Sequence, residues 1–81
     1  MRIKVVMFAA LAQRAGVAEL SLDLSAAATV DDAVAALAGM YPVIAEMRGK
    51  LATAVNLSYV GAAEVLREGD ELALIPPVSG G

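Results

Sequence analysis

The spacing of apolar residues changes once, sharply, between Glu19 and Tyr41. Leu20, Leu22 and Leu24 alternate with Ser21 and Asp23, so an extended segment here buries one face and wets the other. Val30, Val34, Leu37 and Tyr41 then follow at spacings of four, three and four, a single stripe along a helix. A strand that needs cover on one face, followed by a helix with one apolar stripe, points to an α+β layer pair.

The helix carries its own start and stop signals. Thr29 is placed to accept the N–H near Asp32, and Asp31 and Asp32 lie where the helix dipole is positive. This acidic pair reads as a cap, because no third ligand that would make it a metal site lies nearby in sequence. Gly39 weakens the end and Pro42 blocks continuation. A second short helical turn, Val43 to Arg48, is expected to bury Val43, Ile44 and Met47.

On either side lie further strands. Ile3, Val5 and Met7 share one face of an extended segment, and Lys4, Val6 and Phe8 share the other. Both faces are largely apolar, as expected of a strand inside a sheet. Ala9 to Ala15 favours a short helix that Gly16 ends. Leu51 to Val60 reads as one strand, with Val55, Leu57 and Tyr59 alternating with Ala54, Asn56 and Ser58, until Gly61 breaks it. Ala62 to Leu66 is expected to be a short edge strand. Arg67 to Asp70 is a polar turn with Gly69 set for a positive φ, and Glu71 to Ile75 is the last strand. The expected architecture is one main helix packed on a mixed sheet of four to five strands, with the first and last strands central and adjacent. Residues 1–75 then form the domain and residues 76–81 an extended tail.

That tail reads Pro76-Pro77-Val78-Ser79-Gly80-Gly81. The prolines end the strand and stiffen the start of the tail, and the two glycines make a thin tip. Six extended residues reach about 20 Å. The rest of the composition narrows the function. The six basic residues are dispersed among nine acidic ones for a net charge of −3, which disfavours nucleic-acid binding. The apolar fraction is 59%, yet the longest unbroken apolar run, Val5 to Ala12, is far short of the ~20 residues of a spanning helix. A cytoplasmic protein without membrane contact is expected.

Four stretches together resemble the small subunit of molybdopterin synthase, a ubiquitin-like β-grasp sulfur carrier. They are Ile3 to Ala9 (IKVVMFA), Lys50 to Asn56 (KLATAVN), Glu68 to Glu71 (EGDE) and the ending PPVSGG, and the likeness runs essentially end to end. Glu68 stands where the family often has Asp, and Arg48 where it often has an acidic residue; neither touches the tail.

The resemblance implies that the Gly81 carboxylate is adenylated by an E1-like activating enzyme that uses ATP, then converted to a thiocarboxylate. The tail would enter the large synthase subunit and donate sulfur to precursor Z (cyclic pyranopterin monophosphate), forming the molybdopterin dithiolene. Implied partners are that large subunit, the activating enzyme and a sulfur-donating enzyme, in a heterotetramer with a small subunit at each end of a large-subunit dimer. The chain itself would bind no cofactor and would be a sulfur-bearing co-substrate, not catalytic alone.

The residues fit that chemistry. A terminal carboxyl titrates near roughly 3.3–3.7, so at neutral pH it is an anion and needs activation before a nucleophile can attack it. The chain has no Cys and no His, which leaves Gly81 as the expected reactive end. Gly80 and Gly81 pass a narrow tunnel without Cβ clashes, Pro76 and Pro77 reduce the entropy lost on docking, and Val78 and Ser79 enter with them. Phe8 is a candidate for the docking face, with core packing as the other reading. Two alternatives stay open: a carrier for thiazole synthesis or a ubiquitin-like modifier, and a β-grasp interaction module whose tail does nothing covalent.

Overall fold

The computed structural model describes residues 1–77. In chain order the elements are β1 (Arg2–Met7), α1 (Ala9–Ala15), β2 (Glu19–Asp23), α2 (Val30–Met40), α3 (Pro42–Met47), β3 (Ala52–Val55), β4 (Ser58–Tyr59) and β5 (Glu71–Ile75). A tight helical turn, Arg48–Lys50, joins α3 to β3.

The five strands form one mixed sheet in the order β2-β1-β5-β3-β4. β1 and β5 are parallel, with Val5 opposite Leu72 and Met7 opposite Leu74, and every other pairing is antiparallel. The first and last strands are therefore the adjacent central pair, as their apolar content predicts.

One sheet face is covered by helices. Ile3, Val5 and Met7 of β1 and Leu72 and Leu74 of β5 meet Val30, Ala33, Val34 and Leu37 of α2. Val43 and Ile44 of α3 and Leu11 of α1 close the same core. Leu37 is fully buried, and burying a leucine stabilises by about 1.5–3 kcal/mol. Tyr41, the last residue of the predicted stripe, packs half-buried at the rim.

α2 begins where the sequence predicts. Thr29 Oγ1 accepts the Asp32 N–H at 3.2 Å, and Asp32 Oδ2 accepts the Thr29 N–H at 2.9 Å, a reciprocal capping box. Gly69 takes its expected positive φ of 82°.

Two sequence expectations are corrected. Leu51 to Val60 is not one strand but a tight hairpin. Val55 pairs with Ser58 across a two-residue loop, Asn56-Leu57, whose φ values are 49° and 73°. Positive φ at both central residues is the mark of a type I′ turn, whose twist matches that of the flanking strands. The alternation therefore breaks, and Leu57 and Tyr59 end up 93% and 77% exposed.

Ala62 to Leu66 is also not a strand. Its carbonyls serve the start of α2 instead: Val30 N–H donates to Glu64 O at 2.9 Å and Asp31 N–H to Ala62 O at 3.0 Å. One bridge, Thr29 to Val65, and the buried Leu66 hold the segment down. With one long helix across a mixed sheet and its terminal strands at the centre, the architecture is a ubiquitin-like β-grasp.

Candidate functional site

β5 delivers the chain to the rim of the sheet. Its last residue, Ile75, pairs with Ala52 of β3, and the preceding Leu74 pairs with Met7, the end of β1. Pro76 and Pro77 follow outside the ladder, as residues without a backbone N–H must at a sheet's centre. The predicted tail residues Val78, Ser79, Gly80 and Gly81 lie outside the described residues.

Phe8 stands on the neighbouring strand's continuation, one residue past β1. It is 46% exposed, so the docking-face position is available to it, and simple core packing does not describe it. Ala9 follows with a φ of 50°, in the left-handed region, where the chain turns from β1 into α1. Phe8, Ile75, Pro76 and Pro77 line one groove of about 640 Å³ together with Met47 and Lys50.

That groove also holds an ion pair that sequence reading missed. Arg14 of α1 donates to Glu46 of α3 through side chains 32 residues apart. α1 and α3 meet only in the folded chain, so no local pattern marks the pair. Both side chains are more than half exposed, and solvent screens them. Lys50 adds a second cation beside the start of the tail. Arg14 and Lys50 therefore stand beside Pro76 and Pro77, close to the apolar lining.

The open sheet face continues from this groove. Register places Val6, Ala73, Ala54 and Tyr59 in one row across four strands on the side away from the helices. Two alanines in the middle make the row shallow between Val6 and Tyr59. Charge borders it: Glu19 of β2 lies opposite Val6 at the end of this row, and Lys4 Nζ lies 3.1 Å from Glu19 and 3.9 Å from Glu71. The face is apolar across Val6, Ala73, Ala54 and Tyr59 and charged at its β2 edge and at the start of β5.

Proton affinities shift clearly at the other end of β1. Arg2 Nε donates to Asp23 Oδ1 at 2.9 Å. That hydrogen bond first, and the guanidinium charge second, hold the Asp23 carboxyl below its ordinary value and raise Arg2. The pair is solvent-exposed and far from the groove. Among the described residues no three His, Cys, Asp or Glu side chains are grouped to hold a metal, and no helix is long and apolar enough to cross a membrane.

Residues 5–81 match the ThiS family profile. The molybdopterin synthase sulfur carrier subunit of Chlamydomonas reinhardtii is 37% identical over 83 residues, covering 100% of both chains. The small archaeal modifier protein 1 of Haloferax volcanii is 44% identical over 84 residues, covering 93% of this chain and 95% of that one. The crystal structure of SAMP1 from Haloferax volcanii superposes with a TM-score of 0.87 at 36% identity, covering 100% of each chain.

Proposed function

The chain belongs to the ThiS family, and from that premise we propose that it is the sulfur-carrier subunit of a molybdopterin synthase, with Gly81 as the sulfur-bearing residue. The observation that carries the proposal is the tail's point of departure. Pro76 and Pro77, which open PPVSGG, leave the central strand β5 beside an apolar, cation-bordered groove, on a chain that has no Cys or His nucleophile.

The chemistry runs in three steps. The Gly81 carboxylate attacks the α-phosphorus of ATP on an E1-like activating enzyme, giving an acyl-adenylate and releasing pyrophosphate. Sulfide-level sulfur from a donor then attacks the acyl carbon, the C–O bond to AMP breaks and a proton is lost, leaving a thiocarboxylate that is an anionic, soft nucleophile. A persulfide donor would also require a thiol reductant to cleave the acyl persulfide first formed. Inside the large synthase subunit, two such transfers convert precursor Z into the dithiolene of molybdopterin. This chain's own residues supply reach, stiffness and docking. Pro76 and Pro77 restrict the tail before binding, and Phe8 with the Val6 to Tyr59 row seats the body.

The test is intact-mass measurement after incubation with the activating enzyme, ATP and a sulfur donor. The expected product carries one sulfur in place of one oxygen, and a tryptic map places it on the Gly81 peptide. An unchanged mass with an active partner set rejects the proposal.

A second reading has its own support in the 44% identity to a small archaeal modifier protein. The same adenylate attacked by a lysine amine would give an isopeptide bond. Adducts on partner lysines, formed in place of the thiocarboxylate, would favour that role.

A further inference from the structure

Leu57 is the residue the fold leaves hardest to explain. A lone exposed leucine is ordinary on a protein surface. This one also takes a φ of 73°, a region that a bulky side chain seldom occupies and where the second position of a type I′ turn favours glycine. Ala9 and Ala27 share positive φ, but each carries only a methyl group.

The strain is held in place from outside. Asn56 N–H donates to Glu71 O at 2.9 Å, and its side chain bonds Asp70 and the Glu71 N–H, so the turn is bolted to the start of β5. A strained residue in an over-determined turn marks a place where geometry serves function. Leu57 is 93% exposed, the highest among the large apolar side chains of the described residues, and Tyr59 beside it is 77% exposed. Tyr59 ends the apolar row that runs back through Ala54 and Ala73 to Val6.

We propose that Leu57 is an anchor at the far edge of the docking face, seated in an apolar recess of the subunit that receives the tail. The inference rests on the sulfur-carrier reading. Its occupant follows from continuity: β5 carries the tail at one end and is bolted to the Leu57 turn at the other. One partner covering the open face along β5 meets both. Tail and hairpin then fix two separated points and set the angle at which the tail enters.

The experiment measures binding of the full chain to the molybdopterin synthase large subunit by calorimetry, with thermal melts in parallel. Leu57→Gly is expected to raise Tm by about 2–6 °C, because glycine accepts the left-handed region, and to weaken binding about tenfold. Leu57→Asn, which also tolerates that region, is expected to weaken binding alike. Met40→Ala, an exposed change on the helical layer, leaves binding as it was. Wild-type affinity in both Leu57 variants overturns the inference while leaving the sulfur-carrier reading intact. Absence of binding by the wild-type chain overturns both.

Discussion

Asn56 donates its side-chain N–H to Asp70 Oδ1 at 2.9 Å and accepts the Glu71 backbone N–H at 3.0 Å, tying the β3–β4 turn to the turn before β5. Asp70 in turn accepts the Arg67 N–H at 2.8 Å, so one carboxylate organises both turns. Asn56→Ala removes two side-chain bonds and places a less tolerant residue at positive φ. The expected cost is about 1–2 kcal/mol, read as a lower denaturant midpoint with an unchanged m-value.

Deleting Gly81, or adding one residue after it, separates chemistry from fold. Among the described residues the core and the paired strands end at Ile75, so Tm is expected to stay at the wild-type value. Molybdopterin formation in a reconstituted synthase assay is expected to fall to background, since the acyl carbon is removed or displaced by a full residue length.

Phe8 is half exposed at the groove. Phe8→Ala is expected to leave stability within about 1 kcal/mol, as for a surface position, while weakening capture by the large subunit several-fold. Calorimetric binding and a thermal melt on the same sample decide it. A large loss of stability with unchanged affinity would return Phe8 to the core.

The Arg2–Asp23 pair predicts one pH effect. Asp23 has a folded-state value held below its ordinary 3.8 by Arg2, so its stabilising contribution is present above that value and is lost as pH falls through the folded one. Wild type and Asp23→Asn should differ in Tm at neutral pH and converge as the solution is acidified below the ordinary value. Both side chains are well exposed, so added salt should shrink the difference too.

Much of this architecture is legible in the spacing of apolar residues. Leu20 and Leu22, the Val30 to Tyr41 stripe, and the apolar runs of β1 and β5 each report one local period, and local period survives in sequence. The Thr29 box is equally local. The hairpin at Asn56-Leu57 is hidden because Leu57 continues an apolar alternation while its backbone reverses direction. Asn56, tolerant of positive φ, is the available sign. Ala62 to Leu66 resembles a weak strand because its hydrogen-bond partners belong to α2, more than thirty residues earlier in the chain. The groove is hidden for the same reason: Arg14, Glu46 and Lys50 converge only through packing of α1 against α3.

The parallel pairing of β1 with β5 has a mechanical consequence. Tension between Arg2 and Pro77 runs along both strands in opposite senses, so the register from Lys4–Glu71 to Met7–Leu74 is loaded in shear and its bonds share the force together. The β3–β4 hairpin, pulled at Ala52 and Tyr59, would instead open pair by pair like a zip. Single-molecule pulling from Arg2 and Pro77 should therefore meet a higher unfolding force than pulling from Ala52 and Tyr59. A load applied through Pro77 would then be borne by the whole β1–β5 register rather than by one residue pair at a time.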